Sequence, residues 1–342
     1  MKRLIYLELA VLAVLLIAAV IVCGNLPEPA FAPGALENTL PTDPSDPSDP
    51  TAPTITEPTV TDPTVTEPTV FVPTWNTYPA DRKLLAQQYF VYDCKANTFL
   101  VNSGQATEQV YPASITKLFT IYVAMEYLKP EDTITAGDAL DLVAWGSSVA
   151  KIKKGDTLTV EQLIEAMMLP SGNDAAYMLA CEAGRAIRND SQLSASTAVI
   201  IFVAQMNSRA ASLGMTGTHF VNPDGIHDKN HYTTFGDLAI LGKLAMENEA
   251  IMKYAVKAKE QVTLHGETVD WKNTNKLIDS TNSYYCPYAV GLKTGQTPNA
   301  GSCLLSAFRF EGKELLIGVF GCPKEDDRFD DTLQLFNQIV LK

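Results

Sequence analysis

Between residues 56 and 70 the chain repeats one five-residue unit three times: Thr56-Glu-Pro-Thr-Val60, Thr61-Asp-Pro-Thr-Val65 and Thr66-Glu-Pro-Thr-Val70. Asp-Pro-Ser repeats at 43–50 lead into it. Proline locks φ and lacks an N–H, so at this density the chain cannot build a packed core and favours extended polyproline II. Residues 25–79 are therefore expected to form a disordered Pro/Thr/Asp-rich stalk. Its reach is on the order of 150 Å at ~3.1 Å per residue. Whatever folds must lie beyond it, which leaves residues 80–342 as the folded domain.

Ahead of the stalk, Lys2 and Arg3 precede a 19-residue apolar run, Leu4–Val22, broken only by Glu8. That length suits a membrane span better than a signal-peptide core. The basic flank predicts that everything after Gly24 lies outside the cell. Residues 1–24 thus read as an N-terminal membrane anchor, with a cleaved export signal as the alternative. Ala30-Phe31-Ala32 resembles a cleavage site, although Pro33 after it is unfavourable.

The formal charge of −13 argues against nucleic acid and against an anionic membrane surface as partners. Residues 1–80 carry 9 acids and 2 bases, so the domain itself is only mildly acidic. Of six cysteines, Cys23 belongs to the apolar run, and the odd five that remain are no disulfide framework. Cys303 and Cys322 lie on neighbouring predicted strands and could pair. Cys181 reads as a buried free thiol.

The domain begins with a predicted hairpin, Gln88–Cys94 and Thr98–Val101. Helices are expected over 112–125, 159–168, 174–187, 196–213, 235–247 and 330–341. Strands are expected at 260–264, 267–271, 287–295, 301–310 and 314–321. Strands at both ends with helices between them predict an α+β fold, in which one antiparallel sheet joins the termini and the inserted helices form a mostly helical lobe.

Three motifs carry chemistry. Tyr111-Pro-Ala-Ser-Ile-Thr-Lys117 opens a helix whose apolar residues run almost unbroken from Leu118, so it is expected to cross the core. Ser114 and Lys117, at i and i+3, share one face. A serine at a helix start sits where backbone N–H groups stabilise negative charge, and a lysine in an apolar setting loses its proton more easily. Together they make a nucleophile with its base beside it. Ser148-Val-Ala-Lys151 repeats the spacing but runs into a turn at Lys153-Lys-Gly-Asp156. Downstream, Ser171-Gly-Asn173 occupies a loop at a helix start, and Lys293-Thr-Gly295 ends a predicted strand. Each tripeptide is expected by chance in fewer than ~0.1 chains of this length, so their ordered presence is informative.

With these motifs the chain resembles the penicillin-binding serine acyltransferases, and more narrowly the low-molecular-mass D-alanyl-D-alanine carboxypeptidases. The likeness runs over about residues 80 to 325. It extends through Met168-Leu-Pro-Ser-Gly-Asn-Asp-Ala-Ala176, Leu213-Gly-Met-Thr-Gly-Thr-His-Phe-Val-Asn-Pro-Asp-Gly225, His231-Tyr-Thr-Thr234, Asn273-Thr-Asn-Lys-Leu277 and Gly291-Leu-Lys-Thr-Gly295. The resemblance implies a β-lactamase/transpeptidase-like fold with a five-stranded antiparallel sheet. It implies an acyl-enzyme on Ser114, with Lys117 as base, Ser171 as proton relay and Asn173 orienting Lys117 and the substrate amide. Lys293 and Thr294 would hold a terminal carboxylate, Gly295 would leave room for the peptide, and the N–H groups of Ser114 and Gln296 would form the oxyanion hole. No metal or cofactor is implied. The expected ligands are a peptidoglycan stem peptide ending in D-Ala-D-Ala and β-lactam antibiotics. A monomer on the extracytoplasmic face of a bacterial membrane is the expected setting.

Other activities fit less well. A D,D-endopeptidase uses the same residues and differs only in pocket shape, so it stays open. A class A β-lactamase adds a Glu-x-x-Leu-Asn-like segment, absent after Asn173. A zinc peptidase needs clustered ligands, whereas His227 and His231 lie in an Asp/Asn-rich loop without a Glu-x-x-His partner and read as structural, like His219. No Gly-x-Ser-x-Gly elbow marks a Ser-His-Asp hydrolase. The intact motif residues argue against an inactive wall-binding module.

Overall fold

The structure is a computed structural model that describes residues 82–340. The expected stalk and N-terminal segment lie outside these residues. At its centre is an antiparallel sheet of five strands: β1 (Gln88–Asp93), β2 (Thr98–Asn102), β3 (Ala289–Thr297), β4 (Gly301–Phe310) and β5 (Lys313–Cys322). Their spatial order is β2-β1-β5-β4-β3. β1 pairs with β5 from Gln88 opposite Phe320 to Asp93 opposite Leu315, so the two ends of the domain meet in one sheet, as the sequence predicts.

The sheet is covered on both faces. Along β5, Leu315, Ile317 and Val319 enter one core while Leu316 and Phe320 enter the other. Along β4, Leu304 and Phe308 oppose Cys303, Leu305 and Ala307. Side chains alternate across a strand, and when both faces are buried the alternation of apolar with polar residues vanishes. That is why these strands read as continuous apolar runs.

Seven α-helices stand among the described residues: α1 (Thr116–Ala124), α2 (Val160–Met168), α3 (Asn173–Arg188), α4 (Ala195–Ser212), α5 (Phe235–Glu247), α6 (Glu249–Ala255) and α7 (Asp327–Val340). α7 covers one face of the sheet and stacks Phe336 on Phe308 with ring centroids 4.4 Å apart. On the other face α5 packs so closely that a Cβ on Gly242 would lie 2.4 Å from Leu316 Cδ1. α1 is buried along its length except at Tyr122 and packs against α2 to α6, which makes it the axis of the helical lobe. The helix starts follow their capping residues. Thr159 accepts from the Gln162 N–H at 3.1 Å while Gln162 Oε1 accepts the Thr159 N–H at 2.9 Å. Ser194 and Thr234 cap α4 and α5 with a single bond each, their side chains accepting the N–H of Thr197 and Asp237.

Several expectations need correction. No helix among the described residues is long and apolar enough to cross a membrane, which overturns the transmembrane helix as a feature of this structure; the Leu4–Val22 run on which it was placed lies outside the described residues. Cys303 and Cys322 are both free thiols. Cys322 pairs in register with Ser302, so Cys303, one residue along, points to the opposite face of the sheet. The strands Lys259–Leu264 and Glu267–Lys272 form a separate two-stranded hairpin. The helix expected from Pro112 begins as a 3-10 turn, Ala113–Ile115, and becomes α-helical at Thr116. Cys181 is buried and free, as expected.

Candidate active site

Two short connections converge on the start of α1. In the first, Ala113 has a left-handed backbone (φ +46°) and is followed by half-buried Ser114. Lys117 lies one turn on, and its side chain is fully buried. Its Nζ is 2.9 Å from Ser114 Oγ, 2.7 Å from Asn173 Oδ1 and 2.8 Å from the carbonyl oxygen of Asp224. Burial pulls the lysine down to about 8, against the opposing charges of Asp224 and Asp174. Near neutral pH a useful fraction of the amine is therefore uncharged and able to take a proton from the hydroxyl beside it.

The second connection is Pro170 to Asn173. Ser171 is left-handed (φ +62°), and Asn173 is the first residue of α3. The loop is held from outside by Ser148, whose hydroxyl donates to the carbonyl oxygens of Pro170 and Ser171, each at 3.1 Å. The Ser148 carbonyl in turn accepts the Asn173 N–H at 2.8 Å. Next to Asn173, the buried Asp174 carboxylate accepts the N–H groups of Ala150 and Ala175 at 2.9 Å and of Ile152 at 3.1 Å. One side chain thus fastens the 148–152 segment to the start of α3.

β3 supplies the third wall. It is an edge strand, and a Cβ on Gly295 would come within 2.8 Å of the Pro112 carbonyl oxygen and 2.9 Å of Ala113 Cβ. Glycine is what lets the edge lie against the turn that carries Ser114. Lys293 and Thr294 are buried, and Thr294 Oγ1 is 2.5 Å from Thr274 Oγ1. Burial, followed by the positive charges of Lys117 and Arg328, holds the Lys293 ammonium well below the usual lysine range. Arg328 of α7 is itself buried and donates from Nη1 to the Gly295 carbonyl at 3.3 Å.

Ser114, Asn173 and Gln296 line one cleft of about 290 Å³, together with Gly146, Ser147, Ser148, Gly225, Ile226, His227, Thr297 and Pro298. Lys117, Ser171, Lys293 and Thr294 are buried. Three participants were missed from the sequence. The Asp224 carbonyl takes a hydrogen bond from Lys117, Ser148 ties down Ser171, and Arg328 reaches β3 from the C-terminal helix. Ser148 did leave a signal: it belongs to the second Ser-x-x-Lys match, set aside as a turn.

His231 and His219 order the loop, while His227 lines the cleft. His231 Nδ1 accepts the Val221 N–H at 3.1 Å, so its proton sits on Nε2, which donates to Thr116 Oγ1 at 2.8 Å. Burial lowers it to about 4, keeping the ring neutral at physiological pH. His219 Nδ1 lies 2.6 Å from the Asn230 carbonyl oxygen.

Residues 75–324 match the D-alanyl-D-alanine carboxypeptidase family, peptidase S11. A D-alanyl-D-alanine carboxypeptidase of Streptomyces sp. (strain K15) is 34% identical over 66% of this chain and 77% of its own length. The relatives DacF of Bacillus subtilis and DacC of Escherichia coli are 29% and 31% identical, and the chain spans only 54% and 56% of their lengths. Among solved structures, the Streptomyces K15 DD-transpeptidase superposes with a TM-score of 0.66 at 30% identity, covering 75% of this chain and 97% of that one. Penicillin-binding protein D2 of Listeria monocytogenes, in its cefotaxime-bound form, gives 0.62 at 26% identity over 77% and 99%. A five-stranded antiparallel sheet beside a helical lobe, a serine and a buried lysine 2.9 Å apart at their junction, and a family match over most of the chain lead to one conclusion: this protein belongs to the serine-type D-alanyl-D-alanine carboxypeptidase family.

Proposed function

We propose that the chain removes the terminal D-alanine of peptidoglycan stem peptides through an acyl-enzyme on Ser114. The observation that carries this reading is the hydrogen bond between Lys117 Nζ and Ser114 Oγ, made by a lysine drawn down to about 8. Lys117 takes the hydroxyl proton as Oγ attacks the carbonyl carbon between the two D-alanines. The tetrahedral oxyanion is held by the N–H groups of Ser114 and Gln296. The C–N bond then breaks, and Ser171 passes a proton to the departing D-alanine amine. Water attacks the ester, releasing the shortened peptide and Ser114. Asn173 keeps Lys117 in place and faces the substrate amide. Lys293 and Thr294 attract the terminal carboxylate, and the peptide lies along the free edge of β3. The functional unit is residues 80–342, acting outside the cell on the wall, and β-lactams acylate the same serine.

The test is the intact mass of the protein after exposure to benzylpenicillin. An adduct of one drug mass, absent in Ser114→Ala, together with D-alanine release from a pentapeptide, is the expected result. Absence of both adduct and release would sink the reading. Transfer of the acyl group to an amine is a second reading, favoured by the likeness to the Streptomyces K15 DD-transpeptidase; adding glycine as acceptor separates it from hydrolysis.

A further inference from the structure

Trp145 is fully exposed, at 101% of its reference surface, on the segment that leads directly into the cleft wall. The other tryptophan among the described residues, Trp271, is buried and donates to the Ala150 carbonyl at 2.9 Å. The turn that carries Trp145 is tied down on both sides. Ser147 donates from its N–H at 3.2 Å and its hydroxyl at 2.7 Å to the Ala144 carbonyl, closing the turn around Trp145 and the left-handed Gly146 (φ +75°). Ser148 then anchors the segment to Pro170 and Ser171, as described above. The ring is therefore carried by a fixed turn, one to three residues before Gly146, Ser147 and Ser148, which line the cleft. Single exposed apolar residues are common and call for no explanation. A whole indole left exposed next in sequence to a cleft-lining residue is a different matter, because tryptophan is the largest apolar surface a chain can offer and a frequent anchor of recognition.

We infer that Trp145 is a stacking platform for a sugar ring of the glycan strand that carries the stem peptide. This inference rests on the reading given under Proposed function. Four residues of extended peptide separate the scissile bond from the sugar and span roughly 14 Å, so the sugar stands well away from Ser114. A pyranose presents an apolar C–H face that matches one aromatic ring. Its neighbours in sequence, Ala144, Gly146 and Ser147, are small or polar and suit a hydroxylated ligand, and Val149 is the one other exposed large apolar residue of the segment. In the segment from Asp141 to Lys154, Lys154 pairs with Asp141 at 2.6 Å, and the two further charges, Lys151 and Lys153, stand six and eight residues beyond Trp145.

The experiment uses the full chain and its Trp145→Ala and Trp145→Phe variants on two substrates: a short soluble pentapeptide and purified polymeric peptidoglycan bearing pentapeptide stems. Trp145→Ala is expected to lower D-alanine release from the polymer roughly tenfold in kcat/KM, a typical worth for one aromatic contact, and to leave release from the peptide within about twofold. Trp145→Phe recovers most of the loss. Peptide-free glycan oligosaccharides shift the wild-type tryptophan emission and leave that of Trp145→Ala unchanged. Equal loss on both substrates would mean that Trp145 merely shapes the cleft, and no loss on either would mean that the ring is idle; both overturn the inference. An emission shift with lipid vesicles but not with glycan overturns it in favour of a membrane contact. A wild-type chain that releases no D-alanine from the peptide defeats the functional reading itself, and this inference with it.

Discussion

Lys117 Nζ donates to Asn173 Oδ1 at 2.7 Å, which turns the amide nitrogen of Asn173 away from the lysine. Asn173→Asp puts a carboxylate against that ammonium and stabilises the charged form of the base. The acid limb of the kcat/KM profile then moves to higher pH, and acylation at pH 7 falls by about tenfold or more. Stopped-flow acylation by benzylpenicillin across pH 6 to 10 measures the shift. An unmoved limb would mean that Lys117 is not the group titrating.

The same lysine leaves a mark on stability. An unfolded lysine titrates near 10.4, whereas Lys117 is drawn down to about 8, so between these values the unfolded chain binds the extra proton. Stability contributed by this group is fully present above about pH 10.4 and lost as pH falls to about 8. The difference is on the order of 3 kcal/mol. Subtracting the pH dependence of Tm in Lys117→Met from that of wild type should expose this component, while the variant loses acylation altogether.

Asp174 is a stability prediction of another kind. Its buried carboxylate satisfies three backbone N–H groups, two of them in the 150–152 segment. Asp174→Ala leaves those donors unpaired at about 1–3 kcal/mol each, partly relieved by water. A loss of about 3 kcal/mol in denaturant unfolding is expected, with acylation slowed because Ser148 and Asn173 lose their common tether.

Gly225 closes the back of the turn that carries Ser114. Its φ of +86° suits glycine, and an added Cβ would stand 1.9 Å from the Ala113 carbonyl oxygen and 3.0 Å from the Ser114 N–H nitrogen. Gly225→Ala should destabilise the domain by more than about 2 kcal/mol. It should also cut acylation more than binding, a kcat effect visible in single-turnover mass spectrometry.

The free thiols give a simple count. Cys181, Cys286, Cys303 and Cys322 are buried, and Cys94 is half-buried, with burial pushing its thiol up to about 12. Native protein should therefore react slowly with a thiol reagent at every described cysteine, and in guanidinium these five should react along with Cys23, six in the full chain. A lower denatured count that reductant restores would reveal a disulfide.

What the sequence discloses here follows from how local each signal is. Thr159 announces its helix within four residues, and Ser114 and Lys117 are brought together by one helical turn. Lys293, Thr294 and Gly295 are legible as a motif, but their position depends on an edge strand packing against Ala113. That placement is fixed by the sheet as a whole. Arg328 and the Asp224 carbonyl left no signal, since one contact spans 33 residues and the other is made by a backbone atom that any residue would supply. The helix Glu249–Ala255 is too short to show a period. The pairing expected for Cys303 and Cys322 failed on register: neighbouring strands place alternate residues on opposite faces.

The pairing of β1 with β5 also sets a timetable. Phe320 follows Gln88 by 232 positions, yet the two stand side by side in the sheet. At a ribosomal pace of roughly 5–20 residues per second, the first strand waits on the order of 10 to 50 s for its inner neighbour. Throughout that interval the nascent domain has an open flank and no finished centre. It stays pliable until its last strand is made, and then closes late and all at once.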